Sequence, residues 1–222
     1  QEFNTTVPAR QWINQTLGPE FSFAREEQED VPNFIPNGVI SRFPIVESGE
    51  WDDPTQANRD FLWAKIRLPN GKNLWAVSVH LYSQKPGIRE QAARVLVEKI
   101  KTLIPPEDLV VLGGDFNTKT REEACVAVLE AFFRDAEPDP MDQYGDEDTN
   151  ANRNKPYDWV LADAELEACA TPVKIGGSEF PGGLVFDSRE FTPLSEVAPV
   201  QKSDSAAPNM QHMAVVRDFV VP

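Results

Sequence analysis

At 222 residues, 41% hydrophobic and 26% charged, the chain has the composition of one large globular domain and not of a disordered segment. Its net charge of −15 works against nonspecific nucleic-acid binding, which rests on basic groups displacing counterions. No apolar run approaches the ~20 residues a membrane span requires, no secretory leader is recognisable, and the compartment stays open.

In chain order, the first pronounced signal is FLWAKIRLPNGKNLWAVSVHL at 61–81. Two strand-like runs flank Asn70-Gly71, a pair suited to a two-residue hairpin turn with both residues at positive φ. The second run ends on His80. REQAARVLVEKIKTLI at 89–104 then sets Ala92, Val95, Leu96, Ile100 and Leu103 on one helical face, and Pro105-Pro106 stops it. LVVLGGDFNTK at 109–119 reads as a buried strand that halts on two glycines and presents Asp115 and Asn117. A helix is expected over 121–133, with Cys125 on its apolar face as an inert thiol. Residues 135–156 are acidic and poor in aliphatics, which predicts a long surface loop. YDWVLAD at 157–163 is a short strand, 176–208 a second irregular excursion, and MQHMAVVRDFVV at 210–221 a closing strand. Strands separated by helices and long loops suggest a mixed α+β layer protein. With no repeat and no convincing linker, residues 1–222 form a single domain.

Taken singly, the polar residues say little. His80 suits a satisfied core histidine, Asp158 a strand cap, and Asp115 with Asn117 an Asx-turn. Their order and context carry more. Gln1-Glu2, then Asn37-Gly38-Val39-Ile40-Ser41-Arg42, Ser78-Val79-His80-Leu81, Gly114-Asp115-Phe116-Asn117, Tyr157-Asp158-Trp159-Val160 and finally His212 before Met-Ala-Val form an ordered series. This series resembles the motifs of the endonuclease/exonuclease/phosphatase superfamily, the fold of deoxyribonuclease I, and it spans essentially the whole chain. The resemblance implies a four-layer α/β/β/α sandwich, two packed mixed β-sheets with outer helices. It implies a divalent-metal-dependent hydrolase of phosphate esters, using Mg²⁺ or Mn²⁺. Glu2 would ligate the metal, and Asp115 and Asn117 would orient the attacking water or the scissile phosphate. Asp158 would hydrogen-bond His212 and raise its basicity, and His80 would stabilise developing charge or protonate the leaving oxygen.

The chemistry agrees with these residue types, because phosphoryl transfer needs a divalent ion, an oriented nucleophile and donors around the equatorial oxygens. Three departures from the motif series stand out. Gln211 replaces the usual Asp before the last histidine, a poorer metal ligand; Asp204 is a weak substitute. The strand that ordinarily precedes the first motif is absent, so the domain reads as N-terminally incomplete and its sandwich as lacking one strand. The glutamate that some relatives pair with the first histidine has no clear counterpart, Glu47 being a candidate without support. Arg59 follows Asn58 just before a strand and is a candidate for the same cleft as the motif residues, with an ordinary surface arginine at least as expected. Lys119, Arg121, Arg153 and Lys155 fall close to motif residues, and a solvated surface is the bland account of those four. The expected partner is a phosphate-ester substrate, with nucleic acid disfavoured by the charge, and the expected state is a monomer. Two alternatives stay open: a nuclease acting on DNA or RNA, and a catalytically impaired binding module on the same fold.

Overall fold

The computed structural model describes residues 1–27, 31–134 and 137–222. Helix α1 (Ala9–Thr16) and the antiparallel pair β1 (Ser22–Arg25) and β2 (Gly38–Ser41) open the chain. Strands β3 (Ile45–Trp51), β4 (Phe61–Arg67) and β5 (Asn73–His80) follow. Helix α2 (Pro86–Leu103) returns the chain to β6 (Leu109–Asp115); α3 (Ala124–Glu130) and β7 (Asp158–Ala162) come next. Short pieces complete the fold: α4 (Ala164–Glu167), β8 (Ala170–Thr171), β9 (Val173–Ile175), β10 (Ser178–Phe180), β11 (Leu184–Phe186), β12 (Ala214–Val216) and β13 (Asp218–Phe219).

The main sheet has five strands in the order β3-β4-β5-β6-β7. Only β5 and β6 run parallel, with α2 as their crossover, and the other neighbours are antiparallel. Alternation along the central strands decides which residues meet which layer. Trp75, Val77, Val79 and Leu81, with Val110, Leu112, Phe116, Trp159 and Leu161, share one buried cluster with Ala92, Ala93, Leu96 and Ile100 of α2 and Leu129 and Phe133 near α3. The alternate positions, among them Leu74, Ala76, Leu109, Val111 and Ala162, lie in a second cluster with Phe219 and Val221. His80, Asp115 and Asp158 belong to this second face. The expected mixed α+β sandwich is therefore present. Among the described residues, however, the layer opposite the main sheet is built of separate two-stranded pieces, β1-β2, β8-β13 and β11-β12.

Local expectations differ from the structure in instructive ways. At the 61–81 hairpin only Gly71 takes a positive φ, +86°, and the turn closes with Leu68 N bonded to Lys72 O at 2.9 Å. The loop is longer than two residues, so a right-handed Asn70 is enough. Helix α2 begins three residues earlier than predicted, with proline in its first turn where a missing N–H costs nothing. Its buried face includes Arg89, whereas Leu103 is exposed at the helix end. The closing strand is split into β12 and β13.

The irregular surface segment predicted over 135–156 is present from residue 137 onward, but it is braced from within. Arg153, at φ +49°, forks onto Asp142 at 2.9 Å, Asp146 at 3.3 Å and Asp187 at 3.2 Å. Asn150, Thr149, Asp142 and Asp187 are buried around it. Paired charges and local hydrogen bonds do here what aliphatics do in a core, which is why a low aliphatic count misleads. Residues 135 and 136 of the predicted loop lie outside the described residues.

Candidate active site

Strand register alone builds the centre of the site. His80 is the Cα partner of Asp115 across the parallel β5-β6 ladder, and Asp115 is the partner of Asp158 across the antiparallel β6-β7 ladder. Two parallel strands end at the same edge of the sheet and the antiparallel third begins there. The three polar residues therefore form one row on one face. Gly114 makes this packing feasible: at φ +143°, an added Cβ would lie 2.0 Å from the Val79 carbonyl oxygen. The glycine serves the approach of β5.

Beyond the row, Asp115 organises its own turn. Its Oδ1 accepts the Asn117 amide at 2.7 Å, and its Oδ2 accepts Asn117 Nδ2 at 2.8 Å. Asn117 takes a left-handed φ of +55°, a region that asparagine tolerates better than most residues, and also donates to Leu81 O at 3.1 Å. The Asx-turn and the site are thus the same structure. Both residues are buried, and Phe116 between them stacks on Trp159 with ring centres 5.9 Å apart.

His212 closes the row from outside the main sheet. Its Nδ1 lies 2.9 Å from Asp158 Oδ2, and its Nε2 lies 3.8 Å from Asp115 Oδ2. The 148–151 segment sets its position. Thr149 O accepts Met213 N at 2.6 Å, Ala151 N donates to Gln211 O at 2.9 Å, and Asn150 bridges to His212 itself. The Thr149 hydroxyl accepts Asp158 N at 2.7 Å, so one loop holds both members of the pair.

Electrostatics separates the two histidines. Burial, reinforced by Arg59, holds the His80 pKa down to about 3, so its imidazole is neutral, with Nε2 3.3 Å from Asp115. A group so weakly basic is a poor proton carrier near neutrality. Burial also opposes the His212 imidazolium, but the Asp158 hydrogen bond and the Asp158 and Asp115 charges outweigh it and raise its pKa above 6.5. Burial and the Asp158 charge push Asp115 up to about 7. A buried carboxylate that binds its proton this tightly is short of cationic partners.

The sequence-derived residues His80, Asp115, Asn117, Asp158 and His212 all converge here. Ligand atoms of Asp115, Asp158 and His212 lie within 4.8 Å of one another. Glu2 stands outside that group with an exposed side chain, although its charge acts on both His212 and Arg59. Glu47 is exposed on β3 opposite Lys65, away from the His80 row. Asp204 is exposed and caps its own turn through Gln201 N. A recess of about 300 Å³ lined by Gly114, Asp158, Val160, His212 and Ala214 adjoins the row. A larger one, about 660 Å³, lies between α2 and α3 and has none of these residues.

Two features lie outside the motif series. Arg59 is buried and braces the His80 strand end, donating Nε to His80 O at 2.7 Å and Nη2 to Leu81 O at 3.3 Å. Among the described residues it has no carboxylate within ion-pair distance. Glu26 is fully buried, accepting Asn37 Nδ2 at 3.0 Å and Asp60 N at 3.1 Å, and burial lifts its pKa to about 7. It was masked by its place in the charged run AREEQED; the alternation that buries Ala24 and Glu26 together was its one trace.

No sequence-family model matches the chain, and no curated protein matches it in sequence. Solved structures do match in fold. A humanized D. rerio TDP2 shares 23% identity at a TM-score of 0.57, covering 76% of this chain and 71% of that one. The mannosyl-6-phosphatase of Bacteroides thetaiotaomicron shares 15% at 0.56, covering 75% and 73%. An endonuclease/exonuclease/phosphatase family protein from the same organism shares 16% at 0.56, covering 70% and 63%. The chain shares the fold of these structures, a deoxyribonuclease I-like α+β sandwich.

Proposed function

We propose that this chain is a phosphoric ester hydrolase, a phosphodiesterase or phosphatase, that uses a divalent cation and a water activated by the Asp158–His212 pair. The observation that carries the reading is the His80–Asp115–Asp158 row closed by His212. With Nδ1 bound to Asp158, the His212 tautomer is set and Nε2 is left to take a proton from water on the Asp115 side. A pKa above the ordinary value suits that acceptor near neutral pH. Asn117 spends its amide on Leu81 and Asp115, which leaves its carbonyl oxygen to orient water or phosphate. His80, held neutral by burial, would stabilise developing charge at the phosphate or the leaving oxygen through a ring N–H. Arg59, fixed by its backbone bonds, offers positive charge to the phosphate oxygens.

The donor set fits a hard cation such as Mg²⁺ or Mn²⁺. Asp115 and Asp158 present carboxylate oxygens within ligand distance of one another. Glu2 is the further carboxylate we assign to the ion, and the raised pKa of Asp115 marks an anion awaiting positive charge. When bound, such a cation supplies charge neutralisation at the phosphate oxygens. The folds related to this chain include a mannosyl-6-phosphatase and a TDP2 complexed with a single-strand DNA product, so phosphate esters of either kind are candidate substrates. A nuclease remains the second reading, supported by that DNA complex and opposed by the net charge of −15.

Hydrolysis of bis(p-nitrophenyl) phosphate tests the proposal. Activity with magnesium or manganese, lost in EDTA and in Asp115→Asn and His212→Ala, is the expected result. Equal inertness of wild type and both variants with either metal would favour the binding-module reading, which Gln211 motivates.

A further inference from the structure

Most cations around the site are already spoken for. Arg89 binds Glu123, Arg121 binds Asp139 and Glu147, and Arg153 binds three aspartates. Lys119 differs. Among the described residues, no carboxylate lies within ion-pair distance of its ammonium. Instead Nζ sits 4.3 Å from the centre of the Tyr157 ring and 3.2 Å from the Tyr157 hydroxyl oxygen. The Tyr157 and His212 ring centres are 5.9 Å apart, so this charge lies one aromatic ring away from the reacting centre.

The arrangement is anchored from beneath. Lys119 N donates to Glu123 Oε1 at 2.7 Å. The Glu123 carboxylate is gripped by the fully buried Arg89, which also donates to Tyr82 O at 2.9 Å. On the other side, Tyr157 O accepts Phe116 N at 2.7 Å. Both groups are therefore mounted on main chain adjoining Asp115 and Asn117. A free lysine must give up rotamer entropy to hold a ligand; the cation–π contact with Tyr157 has already restricted this one. Because the phenol oxygen accepts from Nζ, its own proton is available to a second acceptor. The result is two adjacent donors, one charged, beside a centre built for phosphate.

We propose that Lys119 and the Tyr157 hydroxyl form a subsite for a second phosphate group of the substrate, next to the scissile one. This deepens the phosphate-ester reading and rests on it. The preferred substrates are then esters carrying two phosphates, either a small bisphosphate or neighbouring phosphates of a nucleic-acid strand.

Calorimetric binding to the full chain with magnesium separates these sources and does not depend on turnover. Two ligand pairs are compared: glucose 6-phosphate with glucose 1,6-bisphosphate, and thymidine 5′-monophosphate with thymidine 3′,5′-bisphosphate. Wild type is expected to favour a bisphosphate about tenfold, equivalent to ~1.4 kcal/mol. Lys119→Met should reduce that preference to within about twofold, Lys119→Arg should keep it, and Tyr157→Phe should keep part of it. A preference in both pairs upholds a general second-phosphate site, and one in the nucleotide pair alone upholds it with a nucleic-acid strand as source. Equal affinities in wild type, an unchanged preference in Lys119→Met, or no binding in either pair overturns the proposal. Loss of hydrolysis with the binding preference intact would instead count against the catalytic reading alone.

Discussion

His212 holds Asp158 through Nδ1 at 2.9 Å and turns its other ring nitrogen toward Asp115 at 3.8 Å. The pair therefore fixes both the tautomer and the direction of the free nitrogen. Asp158→Asn removes the charge and can present an amide N–H to the same ring atom, favouring the wrong tautomer. We expect kcat to fall roughly 10²- to 10⁴-fold with KM little changed. In metal-free protein the same change should lower the His212 pKa, because its hydrogen bond and charge are what raise it. The chain has two histidines and His80 is held near 3, so an imidazole resonance titrating between about pH 5 and 9 reports His212. An unmoved titration with unchanged kcat would sink the assignment.

Glu26 makes stability depend on pH in a direction unusual for a carboxylate. Its folded-state pKa is near 7, against 4.5 ordinarily, so the native state binds the extra proton between those values. Stability from this group is then highest below about pH 4.5, falls as pH rises through that window, and is at its lowest above 7. At about 1.4 kcal/mol per pKa unit, the full loss is on the order of 3 kcal/mol. Glu26→Gln keeps an oxygen for Asn37 and Asp60 but carries no charge. Its melting temperature should gain on wild type between about pH 5 and pH 7 and level off above that. Parallel curves would show that Glu26 is not strained by burial.

This carboxylate also shows where the sequence was legible and where it was not. The ends of β5, β6 and β7 could be read because each strand is a compact apolar run that stops on a polar residue. The parallel crossover through α2 then aligns those ends without further information. Glu26, Thr149 and Arg153 act partly through contacts between segments far apart in the chain, and only Glu26 shows any trace of a periodic pattern. A charge run such as AREEQED looks solvated until the fold supplies Asn37 and the Asp60 amide on its inner side. Likewise, Asp142, Asp146 and Asp187 resemble solvated surface groups until the Arg153 guanidinium gathers them. Sequence periodicity reports hydrophobic faces, and these residues are buried by pairing.

Arg89 and Glu123 form a buried pair whose value should show only when it is broken. Arg89 is fully buried, with Nε 2.9 Å from Glu123 Oε2 and Nη2 2.6 Å from Oε1. Arg89→Met strands the Glu123 carboxylate in the core, and urea unfolding should show a loss of about 3–5 kcal/mol. Adding Glu123→Gln keeps an acceptor for Lys119 N while removing the stranded charge, so the double variant should recover more than half of that loss. If the double variant is no more stable than Arg89→Met, the pair is not the source of the penalty. The guanidinium bond to Tyr82 O would then be the feature that matters.

Glu2 is exposed and at φ +53°, yet its neighbour is firmly held. Phe3 N donates to Pro36 O at 2.7 Å, and Phe3 O accepts Arg25 Nε at 2.7 Å. The Phe3 ring fills the space beside Gly38 and meets Trp12 and Phe23 edge-on. A carboxylate one residue from such an anchor is positioned by it, and fraying does not reach it. If Glu2 is a metal ligand, Glu2→Gln should weaken manganese affinity roughly 10- to 100-fold, the range that loss of a supporting group around a metal commonly costs. The protein's melting temperature should rise with manganese in wild type and rise less in the variant at equal concentration, because ligand binding stabilises the folded state through its affinity. Phe3→Ala should shift the manganese titration in the same direction by freeing the segment, with Glu2 intact. Superimposable titrations for wild type and Glu2→Gln would remove Glu2 from the ligand set, and a lost response in Asp115→Asn would then place the ion on the Asp115 side alone.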